Sequence, residues 1–254
     1  MKRIKIKIKN FFPVLKTKMG NFFAKELNDS NRLIVFVEGN IGSGKTTLLD
    51  SLEELNYKVF REFRDLFAAE YNVDDEEKNI VELFYINKKK YAFPLQVSAL
   101  NSRTALIKSA VEYLEYSKEE REIVFIERSI LTDLLIFAPT LHEDGDIDHP
   151  SFCIYQDLAA NTMDVMDALL QHYRKIFLYL DAPVEVCLQR IAERGREGED
   201  KITQEYLTKL QAKHDNWLKA VDGPETFVLD ASKSTDKILW DVLELVPGYQ
   251  DRNA

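Results

Sequence analysis

Gly39-Asn40-Ile41-Gly42-Ser43-Gly44-Lys45-Thr46-Thr47 fits the phosphate-loop pattern G-x-x-x-x-G-K-S/T. The residues on either side supply the context that the pattern needs. Leu33-Ile34-Val35-Phe36-Val37 is a continuous apolar run, as a fully buried parallel strand requires. Beyond the loop, Leu48, Leu49 and Leu52 fall at helical spacing. Gly39, Gly42 and Gly44 permit backbone conformations closed to other residues, so successive N–H groups can point into one concavity at a helix N-terminus. In such a loop Lys45 reaches the β- and γ-phosphates, and the Thr46 hydroxyl ligates Mg²⁺. A chance Gly-rich turn would not come with strand, loop and helix in order, so the stretch implies a nucleoside triphosphate site.

Composition narrows the surroundings. The chain has 254 residues, 45% hydrophobic and 30% charged, enough for one soluble α/β domain with a sizeable core or at most two small domains. Net charge is −9, yet residues 1–25 hold seven Lys and one Arg with no acid, so the body is more acidic still. An acidic body argues against nucleic-acid binding, which needs clustered cations. No apolar run is long enough to span a membrane. The two cysteines, Cys153 and Cys187, lack metal-ligand spacing and are expected to be buried and reduced in an intracellular protein.

Residues 1–30 read as a basic tail without fixed structure, although Ile4, Ile6 and Ile8 alternate with Lys as an edge strand would. An acid-free basic leader also suits a mitochondrial presequence, but those favour Arg and Ser. The expected location is therefore cytoplasmic, with mitochondrial as the alternative. Residues 31–250 read as the single folded domain. Tyr57-Lys58-Val59-Phe60, Ile123-Val124-Phe125-Ile126, Lys175–Leu180 and Thr226-Phe227-Val228-Leu229 are further strands. Helical spacing predicts two helices in 74–117, broken near Phe93-Pro94, and others over 130–139, 151–171, 203–219 and 234–245. Another helix is expected to open at Pro183 and run to Arg196. Five strands alternating with helices give a five-stranded parallel sheet covered on both faces, a P-loop kinase fold with an arginine-bearing lid. Asp144-Gly145-Asp146-Ile147-Asp148 invites a calcium reading, but the sixth and twelfth positions hold His149 and Tyr155 instead of Gly and Glu. It reads as a solvated acidic loop.

Ligands of open α/β sheets bind beyond the carboxyl ends of the strands, where Glu62 and Glu127-Arg128 follow the second and third strands. A carboxylate there can deprotonate a hydroxyl acceptor, orient a water or hold Mg²⁺. Arg190 and Arg194 share a helical face, with Arg196 past Gly195, a cluster suited to the charge of a transferring phosphoryl group.

These motifs, taken in order, resemble the deoxyribonucleoside kinase family of deoxycytidine, deoxyguanosine and deoxyadenosine kinases. The resemblance covers residues 33–245 and rests on Gly39–Thr47, Glu62, Gln96 with Arg103, Glu127-Arg128-Ser129 with Asp133 and Phe137, and the Arg190, Arg194, Arg196 lid. It implies transfer of the γ-phosphate of ATP, with Mg²⁺, to the 5′-hydroxyl of a deoxynucleoside, and a homodimer. By the same resemblance Glu62 is the general base, Arg128 holds that carboxylate and the nascent phosphate, and Glu127 lies near Mg²⁺. Gln96 reads the base, Phe137 stacks on it, and Phe67 lines the pocket where relatives carry Trp. Tyr85 and Glu199 bind the sugar 3′-hydroxyl, and the lid arginines close on the phosphates with Lys45. Arg103 and Asp133 at these positions imply deoxycytidine, deoxyadenosine or deoxyguanosine as acceptor, with thymidine poor. Helix 151–171 offers Phe152, Ala159, Met163, Met166 and Leu169 or Leu170 as the dimer face. Two departures stand out: Phe63 replaces the usual Pro, and Asp133-Leu134-Leu135 replaces Asp-Arg-Tyr. The alternatives are a thymidylate kinase-like monophosphate kinase, which would need more cations for the acceptor phosphate, and a non-catalytic structural subunit, which would not need Lys45, Glu62 and Arg128.

Overall fold

The computed structural model describes residues 31–61, 71–73, 76–196, 198–220 and 223–246. The basic leader, Glu62, Phe63 and Phe67 lie outside the described residues. The apolar run before the loop forms β1 (Arg32–Gly39), in which Ile34 through Val37 are wholly buried. Burial of consecutive residues means that both faces of the strand are covered, and each such side chain contributes about 1.5–3 kcal/mol. The other strands of this sheet are β2 (Lys58–Phe60), β5 (Glu122–Glu127), β6 (Arg174–Asp181) and β7 (Thr226–Asp230). All pair in parallel, in the order β2-β5-β1-β6-β7. The chain leaves β1 toward one edge and β5 toward the other. That reversal opens a crevice at the carboxyl ends of these two central strands.

The helices are α1 (Lys45–Glu54), α2 (Ile80–Ile86), α3 (Lys88–Tyr116), α4 (Ile130–Thr132), α5 (Ala138–Glu143), α6 (His149–Leu170), α7 (Val184–Arg194), α8 (Gln204–Leu218) and α9 (Thr235–Leu245). α1 packs with α9, and α3 with α6. Four features differ from the expected pattern. A two-stranded antiparallel ribbon, β3 (Tyr71–Val73) with β4 (Glu76–Lys78), precedes α2. The break between α2 and α3 falls at Asn87, whose side chain accepts from Lys90 N–H at 3.1 Å, and α3 continues through Pro94. Pro94 removes one bond, but burial of Ala92, Gln96, Ala99 and Leu100 keeps the helix seated. α7 stops at Arg194, because Gly195 takes a left-handed conformation with φ 62°. The helix expected over 130–139 extends to Glu143 and contains a π-helical turn at Asp133–Phe137.

The proposed dimer face needs a larger correction. Ala159, Met163, Met166 and Leu170 are buried within the chain's own core, because α6 turns that stripe inward. Phe152 stacks on His142 at 4.3 Å, and Leu169 packs against the core. The exposed large apolar residues of α6 are Ile154, Leu158 and Val165. Cys187 is buried as expected, whereas Cys153 is only partly so, and both are free thiols. The acidic loop caps α6: Asp148 accepts from Ser151 N–H at 2.9 Å, and Asp144 pairs with Lys209 at 2.7 Å. No cluster of three or more metal-ligating side chains occurs among the described residues. None of their helices is long and apolar enough to cross a membrane.

Candidate active site

A cleft of about 1140 Å³ opens at the carboxyl ends of β1 and β5. From the phosphate loop its wall takes Ile41, Gly42, Gly44, Lys45, Thr46 and Thr47. Gly39, Asn40 and Ser43 sit behind that wall and hold the loop. A Cβ at Gly39, where φ is 149°, would lie 2.6 Å from Ser43 Oγ and 2.9 Å from the Leu180 carbonyl. Asn40 Oδ1 accepts from Ile41 N–H at 2.9 Å, while its Nδ2 donates to the Leu207 carbonyl at 3.0 Å. Lys45 Nζ donates to the Gly39 and Asn40 carbonyls at 3.1 and 2.7 Å. Arg190 Nη1 donates to the Ser43 carbonyl at 3.2 Å, tying α7 to the loop.

Beneath the loop His214 is wholly buried, its ring parallel to Tyr179 and its Nδ1 donating to the Leu210 carbonyl at 2.8 Å. Burial, with the Arg128 charge beside it, pushes this imidazole down to about 3. His214 shares a helical stripe with Leu207, Leu210 and Trp217, and all four are buried.

The opposite wall brings together residues far apart in the chain. Gln96 and Arg103 come from α3, Glu127 and Arg128 from the end of β5, and Asp133 and Phe137 from the π-helical turn. Such turns insert a residue and re-aim side chains, often at functional sites. Here the turn closes with Ala138 N–H on the Asp133 carbonyl, and Asp133 and Phe137 line the same cleft. Arg103 Nε lies 3.1 Å from Asp133 Oδ2, and both side chains are 2% exposed. The Arg128 guanidinium lies over the Phe137 ring, 5.1 Å from its centroid. The Gln96 Oε1 is buried and makes no hydrogen bond to any described residue. At the mouth, Arg194 grips Glu199 through two nitrogens at 2.7 and 3.1 Å, and Arg196 stands 4.0 Å from the same carboxylate. Burial, then the Glu199 charge, pushes the neighbouring Tyr85 phenol up to about 12.

The deoxynucleoside kinase family profile matches residues 35–246. This chain belongs to that family. Deoxycytidine kinase of Homo sapiens is 30% identical over 200 residues, 72% of this chain and 74% of that protein. Thymidine kinase of Ictalurid herpesvirus 1 is also 30% identical, over 218 residues, covering 84% of this chain and 86% of its own. The solved structure of deoxyadenosine kinase from M. mycoides, bound to the products dCMP and dCDP, aligns with a TM-score of 0.66. It covers 84% of this chain and 97% of that one, at 22% identity, and so shows the shared fold. The chain is thus an ATP-dependent phosphotransferase with deoxynucleoside kinase activity. Of the three readings the sequence allowed, family membership selects the first.

Two groups in this region escaped the sequence reading. Glu38, at the end of β1, is fully buried and accepts from Ser129 N–H at 2.8 Å. Its signal was available: a lone carboxylate closing the apolar run of residues 33–37 just before the loop. Tyr155 of α6 is also fully buried, and burial followed by the Asp133 charge pushes its phenol well above the usual range. Nothing in the local spacing of α6 distinguishes it from a core tyrosine. Arg128 was named, but not its backbone. Its φ of 62° is left-handed, at a cost of about 1–2 kcal/mol for a residue with a side chain.

Proposed function

We propose that this kinase phosphorylates the 5′-hydroxyl of deoxycytidine, deoxyadenosine or deoxyguanosine and uses thymidine poorly. The observation that carries this reading is the buried Arg103–Asp133 pair, lining one cleft with Gln96. A paired, desolvated Arg and Asp make a rigid polar wall, against which the 5-methyl of thymine would press. Arg103 adds donors for an acceptor atom of cytosine or a purine, and the Gln96 amide both donates and accepts. Its buried, unsatisfied oxygen supports a role in reading a base.

In this reading Glu62 removes the 5′-hydroxyl proton. The oxygen then attacks the γ-phosphorus of ATP, and ADP departs. Lys45 and the N–H groups of the phosphate loop hold the donor phosphates, while Arg128 faces the acceptor oxygen and the phosphate formed on it. Tyr85 and Glu199 receive the sugar 3′-hydroxyl, with Phe137 against the base and Phe67 contributing to the pocket. Arg190, Arg194 and Arg196 gather around the transferring group and help to exclude water. The Thr46 hydroxyl and Glu127 carboxylate, hard oxygen donors on the same cleft, suit Mg²⁺. Bound there, the ion would neutralise phosphate charge.

We also propose a homodimer through the outer face of α6. Ile154, Leu158 and Val165 stand four and seven residues apart, the spacing of a helix–helix seam. Light scattering at micromolar concentration should give twice the 29.5 kDa chain mass, and Leu158→Glu with Val165→Glu should halve it. A monomeric parent would reject the dimer.

ADP release measured with the four natural deoxynucleosides tests the acceptor reading. Turnover with deoxycytidine or a purine deoxynucleoside is expected, and efficient use of thymidine would overturn it.

A further inference from the structure

Glu38 stands one residue ahead of the phosphate loop, and the pairing of Val37 with Glu127 sets it against the turn that leaves β5. Its Oε1 accepts from Ser129 N–H at 2.8 Å and from the Ser129 hydroxyl at 2.7 Å, while its Oε2 accepts from the Thr132 hydroxyl at 2.6 Å. Arg128, immediately before Ser129, is left-handed at φ 62°, and its N–H donates to the Val37 carbonyl at 3.0 Å. The strained corner is therefore clamped on both sides by consecutive residues of β1. An ionised carboxylate meets all three donors, whereas an amide brings one acceptor oxygen and an apolar side chain leaves buried donors unmet.

The same clamp seats α4, which leads directly into the π-helical turn carrying Asp133 and Phe137. Burial, the largest influence, holds the Glu38 carboxyl above the usual carboxylate range, although the Arg128 charge, the Thr132 and Ser129 hydroxyls and the Arg103 charge pull it down. The carboxylate thus also lies within the field of both buried arginines of the site.

We propose that Glu38 is a positioning residue for phosphoryl transfer: it fixes the turn that aims Arg128 and so holds the acceptor wall in register with the phosphate loop. This rests on the role given to Arg128 in the proposed mechanism. Glu38 touches no reacting atom in this scheme and acts through the backbone of its neighbours.

The experiment is a double-mutant cycle on the full chain, with ATP and the best acceptor of the deoxynucleoside panel. Glu38→Gln keeps the shape and one acceptor oxygen. Ser129→Ala with Thr132→Val breaks the clamp from the other side and serves if Glu38→Gln does not fold. Either change should lower kcat about 10–10²-fold, as a small misplacement near the reacting centre does, and leave the KM for ATP nearly unchanged. In an Arg128→Ala background the same change should cost less than about twofold, within the usual scatter of such cycles, as coupling through Arg128 requires. An unchanged kcat in the parent, or an equal loss in both backgrounds, would overturn the proposal, since general loosening of the fold does not depend on Arg128. Normal turnover of Arg128→Ala alone would instead refute the role of Arg128, and this inference with it.

Discussion

At the phosphate-loop end of the cleft the groups come from one unbroken stretch, Gly39–Thr47, which offers backbone N–H groups and one lysine. At the other end Gln96, Arg103, Arg128 and Asp133 come from α3, the end of β5 and the π-helical turn, and offer side chains, most of them charged. The first end depends on conformations that glycine permits, such as φ 149° at Gly39. The second depends on buried charges finding each other, as Arg103 and Asp133 do at 3.1 Å. A local backbone motif sets most of its geometry within a few residues, although Leu207 and Arg190 also brace this loop. A charge cluster assembled from separate elements transmits any loss to its partners, since a buried charge left alone is costly.

The largest effect is expected at the proposed general base. Glu62→Gln removes the proposed base and should cost about 10²–10⁴ in kcat, with deoxynucleoside affinity little changed. Near-normal turnover in stopped-flow or steady-state assays would remove Glu62 from the mechanism. At the loop end, Lys45→Ala should lower kcat about 10²–10³-fold and weaken ATP binding, while acceptor binding measured by calorimetry persists. A parallel loss of both ligands would show that the two ends are not separable.

At the charged end the prediction concerns stability first. Arg103→Met leaves Asp133 buried without its counter-ion and should destabilise the protein by about 3–5 kcal/mol. Adding Asp133→Ala should restore most of this in urea melts and raise thymidine use. A double variant no more stable than the single would show that the pair does not behave as a unit.

The smallest effect is a pH slope beneath the loop. His214 is held neutral in the fold, its pKa pushed down to about 3 from an ordinary value near 6.5. Between these values the unfolded chain binds the extra proton, so the stability this group contributes is present above pH ~6.5 and is lost as pH falls. The slope is at most about 1.4 kcal/mol per pH unit. Denaturation curves of His214→Gln should lack that one-proton component between pH 7 and 5; an unchanged slope would assign the acid sensitivity elsewhere.

The contrast between the two ends also explains what could be read in advance. Gly39 to Thr47, the buried strand before them and the helix after them were legible because the determinants are adjacent and each residue type answers a local steric or electrostatic need. The roles of Gln96, Arg103, Asp133 and Glu199 came instead from ordered motifs shared with a family, since nothing in their local spacing says that they meet. The face of α6 was misassigned for a related reason. Ala159, Met163, Met166 and Leu170 form a regular apolar stripe, and a stripe does not say whether it covers the chain's own sheet or another copy. Pro94 likewise marked a break that the packing of α3 overrides.

By itself the sequence determined the alternation of buried strands and amphipathic helices, and with it the parallel sheet, because burial on two faces and helical periodicity are local patterns of polarity. It also determined the phosphate loop, because backbone freedom at Gly39, Gly42 and Gly44 is a property of the residues themselves. Only the tertiary structure decided that β5 lies beside β1, so that Glu38 meets Ser129 and Thr132, Arg128 turns left-handed, and Arg103 finds Asp133. Those pairings join positions some 30 to 90 residues apart. Their energies exist only after water has been excluded from the space between them, and that exclusion is the work of the whole fold.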